Sequence, residues 1–263
     1  MELERTGPEP NVEYRAWAPL YHRIAEEFSF PFAAEEASAH RLEGLLPAAA
    51  RSAGEGLLRT RLRGRDAVIV GLAPGLGAPP IARLPHAHAP AAIVAADGAA
   101  DRCLKAGLVP DVVVTDLDGP VPSEVSANSR GALVLIHAHG DNADQLDRWV
   151  PQFPGTVAGS WAGPPRPALM NFGGFTDGDR AAYLAEAMGA TRLLLFGFDF
   201  DRVEEAGEPQ AARKRAKLRW ARRAIDHLAE RGNAPVILWR SDGTQVPWQL
   251  PTGDGESSGP STQ

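Results

Sequence analysis

Val112-Val113-Val114-Thr115-Asp116-Leu117-Asp118-Gly119 decides the fold. Four consecutive β-branched residues, with no polar alternation, predict a strand buried on both faces. Asp116, Asp118 and Gly119 follow at once. The same grammar recurs along the chain in Ala67-Val68-Ile69-Val70-Gly71, Ala92-Ile93-Val94-Ala95 and Leu133-Val134-Leu135-Ile136. Further runs are Gly155 to Ala158, Ala168 to Phe172, Leu193 to Gly197 and Val236 to Trp239, with helical stretches between them. Short apolar runs alternating with helices predict an α/β fold: a mostly parallel sheet with helices on both faces.

Upstream, Trp17, Leu20, Tyr21, Ile24 and Phe28 recur at spacings of three and four, one apolar stripe on a helix. A second helical piece runs from Glu35 to Leu46 and is stopped by Pro47. The expected organisation is a small N-terminal helical cap over residues 1–60, an α/β catalytic domain over 61–250, and a disordered tail over 251–263, where Gly, Ser and Pro accumulate.

Composition narrows the function. The net charge of -6 offers no basic footprint for nucleic acid. It suits a site that gathers cations through carboxylates. No apolar run approaches the roughly 20 residues that span a bilayer, and the acidic, polar start is unlike a signal peptide. A cytoplasmic protein is therefore expected. Cys103 is the single cysteine, which excludes an internal disulfide and a cysteine-based zinc site; its expected role is core packing. Oligomeric state stays open, a homo-oligomer included.

In parallel sheets ligands bind beyond the carboxyl ends of the strands, and there the polar residues gather: Gly71 to Gly77, Asp97-Gly98, Asp116 to Asp118, His137 to Asn142, Asn171 to Asp179, and Asp199 to Asp201. If the chain is still extended at Asp116 and Asp118, both point the same way and share cations. Their hard oxygens suit Mg²⁺ bridging phosphates. Asp and Gly are also ordinary turn residues, but two such loops on adjacent strand ends favour a site. Gly71-Leu72-Ala73-Pro74-Gly75-Leu76-Gly77 lets backbone N–H groups approach phosphate, yet lacks the Lys-Ser/Thr ending of a P-loop. His137 and His139 have a spacing that admits zinc. Asp141 and Asn142 equally suit a helix N-cap, and a loop meeting phosphate or metal, led by Asp141, is the preferred reading. Thr176 or Asp177 caps the following helix, and Phe175 suits either stacking on a flat heterocycle or the core. Beyond Asp199, Arg213 to Arg223 form a solvated basic face from which Lys214 or Lys217 can reach phosphate.

Asp97-Gly98-Ala99, Gly107-Leu108-Val109-Pro110-Asp111 and Thr115-Asp116-Leu117-Asp118-Gly119 resemble the thiamine pyrophosphokinase-like core. With His139-Gly140-Asp141-Asn142, Gly174-Phe175-Thr176-Asp177-Gly178-Asp179-Arg180 and Gly197-Phe198-Asp199-Phe200, the chain from Asp66 to Trp239 is similar to the archaeal 6-hydroxymethyl-7,8-dihydropterin diphosphokinases. The resemblance implies transfer of diphosphate from ATP to the pterin, with AMP released, on the way to a folate or methanopterin cofactor. It implies Mg²⁺ held by Asp97, Asp116, Asp118 and Asp141, with Asp116, Asp118 and Asp141 catalytic. Gly71, Pro74, Gly75, Asp97, Gly98, Lys214 and Lys217 would meet ATP; Asn171, Phe175, Thr176 and Asp177 would meet the pterin. Ala73-Pro74-Gly75 departs from the family's Gly-Pro-Ser, and Phe198 stands in place of Met. Three alternatives remain: a thiamine pyrophosphokinase; a HAD-type phosphatase with Asp116 as nucleophile, although Pro120 replaces its usual Thr; and a non-catalytic nucleotide-binding module.

Overall fold

The structure is a computed structural model that describes residues 12–73, 91–202 and 207–251. Three helices come first: α1 (Val12–Phe28), α2 (Phe32–Leu45) and α3 (Ala50–Leu62). Strands and helices then alternate as β1 (Asp66–Val70), β2 (Ala92–Ala96), α4 (Ala99–Lys105), β3 (Val112–Thr115), α5 (Val121–Ser129), β4 (Leu133–Ala138) and α6 (Ala143–Trp149). They continue with β5 (Val157–Trp161), β6 (Leu169–Met170), α7 (Asp177–Ala187), β7 (Arg192–Phe196), α8 (Glu208–Arg231), β8 (Val236–Trp239) and β9 (Gln245–Pro247).

The nine strands form one sheet in the order β6-β5-β4-β3-β2-β1-β7-β8-β9. Every pairing is parallel except β8 with β9. Residue parity within the strands sends side chains to two cores. Ile69, Val94, Val114, Leu135 and Leu195 meet Trp17 and Ile24 of α1, Leu58 and Leu62 of α3, and residues of α7 and α8. Val70, Ala95, Val113, Ile136 and Leu194 meet Leu42 of α2, Cys103 of α4, Ala127 of α5 and Leu146 of α6. Burial on both faces is why the strands read as unbroken apolar runs. Cys103 is fully buried, as expected.

The N-terminal helices form part of the sheet's covering layers. On α3, a β-carbon at Gly54 would sit 2.7 Å from Ala158 Cβ of β5, so the small residue lets helix and strand close up. The expected strand at Ala168 to Phe172 shortens to two paired residues. Pro74 and Gly75, and tail residues 252–263, lie outside the described residues.

The chain runs from β1 to β2 and onward to one edge, then returns to place β7 on the other side of β1. This reversal is a topological switch point, where a crevice opens at the carboxyl ends of the strands.

Candidate functional site

β2 and β3 end in backbone that ordinary residues seldom adopt. Asp97 has φ 46° and Leu117 has φ 68°. The extended chain expected at Asp116 and Asp118 is therefore replaced by a left-handed turn at Leu117. Thr115 Oγ1 accepts from the Leu117 amide at 2.9 Å, and Leu117 itself is buried as an apolar anchor. The turn still brings the acids together. One carboxylate oxygen from each of Asp97, Asp116 and Asp118 lies within 4.8 Å of the other two. Among the described residues this is the one such cluster. A β-carbon on Gly119 would collide with the Asp97 carboxylate, so glycine is what admits that close approach.

Asp141 stands outside the cluster. Its exposed carboxylate is 2.6 Å from His139 Nδ1, while His139 Nε2 lies 3.3 Å from Asp116 Oδ2. His139 thus bridges the two acids from the end of β4. His137 faces elsewhere, buried with Nδ1 3.0 Å from Ser160 Oγ, so the histidines do not converge on one ion. Asn142 does not cap α6 through its side chain. Its amide donates to Asp116 O and His137 O, both at 2.8 Å, and so ties the end of β3 to the end of β4.

Burial raises most of the acids, and each reinforces the next. Asp118 is pushed up to about 6 by partial desolvation and by Asp116 and Asp97, with Lys217 opposing. Glu124 is driven to about 9 by burial and by Asp97. Asp177, half-buried beside Arg180, is well above the usual carboxylate range, through desolvation first and Asp116 next. For Asp116, burial works upward, but the His139 hydrogen bond and charge outweigh it and hold the group near 2. Burial opposes charging of His139, yet Asp116, Asp141 and Glu35 together raise it. Crowded carboxylates whose charges disfavour one another fit a divalent cation with hard-oxygen preference, and Asp118 keeps a solvent-exposed approach.

A cavity of about 500 Å³ opens beside the cluster at the switch point. Asp97 and Asp118 line it, with Gly71 at the end of β1, Phe198 after β7 and Lys214 of α8. Thr176, Asp177 and Gly178 bring the N-terminus of α7 to the same space. Thr176 caps that helix in a reciprocal box with Asp179, whose carboxylate accepts the Thr176 amide at 2.8 Å. An α-helix N-terminus beside a lysine is a favourable place for phosphate. Gly98 is buried at the start of α4, against Leu72 and Pro120. Lys217 does not line the cavity and acts on Asp118 through its charge.

Asn171 is buried. Its amide donates to Ala162 O at 2.7 Å and Gly163 O at 2.9 Å, and its oxygen accepts from the Gly173 amide. It shapes the β5–β6 loop. Phe175 packs its ring 5.3 Å from Phe28 and 6.3 Å from Phe30 of the N-terminal region. Sequence reasoning passed over Glu124 and Glu35. Glu124 Oε1 accepts from Thr115 Oγ1 at 3.0 Å behind the cluster. Glu35 Oε1 accepts from the Gly140 amide at 3.2 Å, 105 residues distant. For Glu124 the available signal was a lone charge in the first turn of a helix of small and apolar residues; Glu35, one of several charges on α2, carried none.

Fold and site define a mostly parallel α/β protein with a cluster of three carboxylates beside its switch-point cavity. The chain belongs to the MptE-like family, described as 6-hydroxymethylpterin diphosphokinase MptE-like, which matches residues 46–205. Three archaeal proteins called 6-hydroxymethyl-7,8-dihydropterin pyrophosphokinase are similar to it. That of Methanothermobacter thermautotrophicus is 36% identical, over 87% of this chain and 100% of its own length. That of Pyrococcus furiosus is 35% identical, over 86% and 98%. That of Methanocaldococcus jannaschii is 33% identical, over 72% and 80%. Among the described residues, no helix is long and apolar enough to cross a membrane.

Proposed function

We propose that this protein transfers the diphosphate of ATP to 6-hydroxymethyl-7,8-dihydropterin, giving AMP and the pterin diphosphate, as a step toward a folate or methanopterin cofactor. The observation that carries the reading is the convergence of Asp97, Asp116 and Asp118 beside a switch-point cavity. The names of the relatives favour a pterin over thiamine as acceptor.

Asp97, Asp116 and Asp118 would hold Mg²⁺, which neutralises the triphosphate and polarises the transferred group. The N-terminus of α7 and Lys214 receive phosphate oxygens, while Phe198 and Leu72 give the nucleoside an apolar wall. In the reaction the acceptor hydroxyl loses its proton to solvent and forms an O–P bond at the β-phosphorus, and the bond to the oxygen bridging toward the α-phosphorus breaks, releasing AMP. The chain's contribution is alignment and charge placement, not covalent participation. His139 holds Asp116 as a carboxylate, and Phe175 to Asp177 run from the N-terminal aromatic residues to the nucleotide cavity.

The test is incubation with ATP, Mg²⁺ and 6-hydroxymethyl-7,8-dihydropterin, with AMP and pterin diphosphate read chromatographically. Thiamine is run in parallel. No AMP with the pterin, or turnover with thiamine alone, refutes the proposal.

A further inference from the structure

A second cavity, of about 550 Å³, lies between α1, α2 and the loop after β5; Phe30 in its lining is 6.3 Å, ring to ring, from Phe175, whose neighbours Thr176 and Asp177 line the nucleotide cavity. Its walls are aromatic: Tyr21, Phe30, Phe32 and Trp161. Phe32 is 62% exposed, an unusual position for so large an apolar ring, and its centroid is 6.2 Å from that of buried Trp161. Glu35 also lines the cavity, although only 5% of it is exposed. One carboxylate oxygen accepts from the Gly140 amide, the Tyr21 hydroxyl also bonds the group, and burial raises its pKa. The other, Oε2, is buried without a partner. Leaving such an oxygen unsatisfied carries a desolvation penalty that a ligand donor would remove.

We infer that this cavity binds the ring of the acceptor, and that Glu35 accepts hydrogen bonds from its 2-amino-4-oxopyrimidine edge. That edge presents an amino group and a ring N–H side by side, two donors matched to an acceptor-only carboxylate. The corresponding edge of adenine alternates donor and acceptor, so its ring nitrogen lone pair would oppose the carboxylate. Aromatic walls suit a flat bicyclic ring. The cavity is also in the right place. Gly140, which binds Glu35, directly follows His139, which binds Asp116. A β-carbon on Gly140 would sit 3.1 Å from Ala34 Cβ, so the glycine lets α2 press against this loop and bring Glu35 within electrostatic reach of His139. Asn171 contributes indirectly, by holding Ala162 and Gly163 in the far wall.

The inference rests on the proposed reaction, so binding and turnover are measured separately. Calorimetry with 6-hydroxymethylpterin is run on wild type, on Glu35→Gln, which keeps the shape, and on Phe32→Ala, which alters only an exposed ring. Steady-state KM values for ATP and for 6-hydroxymethyl-7,8-dihydropterin are measured alongside. The expected result is pterin binding weakened about tenfold or more in Glu35→Gln, a smaller loss in Phe32→Ala, and an ATP KM unchanged in both. Adenosine should not compete, and guanosine, which shares the edge, should compete only weakly. Turnover with a pterin KM indifferent to Glu35 would overturn this inference and leave the proposed reaction standing. Glu35-dependent pterin binding without AMP formation would uphold the site and overturn the reaction. Equal rises in both KM values, or competition by adenosine, would make Glu35 merely structural and sink the assignment.

Discussion

Replacing Glu124 with Gln should stabilise the metal-free protein, and by an amount that depends on pH. Glu124 is fully buried in the first turn of α5, with one oxygen on Thr115 and the other unpartnered. Burial, and then the charge of Asp97, move its pKa from an ordinary 4.5 to about 9. A carboxyl raised in this way binds its proton more tightly folded than unfolded. Its favourable contribution is complete below pH 4.5 and is lost progressively as pH rises toward 9. Each pH unit in that window removes about 1.4 kcal/mol. At pH 7 the accumulated penalty is therefore about 3 kcal/mol relative to a side chain that never titrates. Gln is such a side chain; its oxygen still accepts from Thr115, and its amide offers a donor toward Asp97. Urea unfolding of both proteins in EDTA at pH 5, 7 and 8.5 should show nearly equal stability at pH 5 and a widening advantage for the variant above it. Curves that stay parallel across this range would show that Glu124 is not carrying a proton into the folded state.

Three further outcomes follow from the same geometry. Asp116→Asn should reduce Mg²⁺-dependent AMP formation by at least about a hundredfold with an unchanged circular dichroism spectrum, because asparagine keeps a side-chain oxygen for the Asp118 amide and the backbone carbonyl that Asn142 holds; near-wild-type turnover would remove it from the cation site. Gly119→Ala should push the Asp97 carboxylate out of position, and the Mg²⁺ concentration needed for half-maximal rate should rise several-fold; an unaltered requirement would mean that Asp97 is not a ligand. Because Asp118 must lose a proton whose pKa is about 6, affinity for Mg²⁺ should fall as pH drops below 6 and level off above 7, as read by calorimetric titration; a pH-independent affinity would contradict its role.

The sheet was legible because its strands are buried on both faces, and hydrophobic runs record that burial directly. β9 was not, since Gln245 to Pro247 form an exposed edge paired antiparallel to β8, with none of the apolar continuity of the central strands. Asp97, Asp116 and Asp118 were legible because each follows a strand run, and parallel neighbours put those ends on one edge. The turn that joins them was not. Nothing about Leu117 marks it as left-handed, and a leucine there is tolerated because its side chain is anchored in the core while Thr115 and Asp116 hold the turn. Asp141 shows the opposite limit: its spacing from the strand places it near the site, but His139 lies between it and Asp116 and decides its partner.

The N-terminal helices mark where periodicity stops being informative. The stripe from Trp17 to Phe28 reports that α1 has a buried face, but not which loop of the main sheet that region meets. Tyr21 and Phe28 belong to that stripe, so an apolar pattern that reads as packing also supplies a wall to the second cavity and a ring against Phe175. Glu35 has no periodic signature at all; its meaning depends on Gly140, 105 residues away. If the acceptor binds there, removing residues 1–60 would do more than expose a sheet face. It would strip buried Trp17, Ile24, Leu42 and Leu58 from both cores, so the two recognitions are separated by point changes: Glu35 and the α1–α2 walls arise before β1, whereas Asp97, Asp116, Asp118 and the N-terminus of α7 arise beyond it. Donor and acceptor recognition would then belong to different layers of one fold, meeting where His139 pairs with Asp116 and the next residue, Gly140, binds Glu35 of α2.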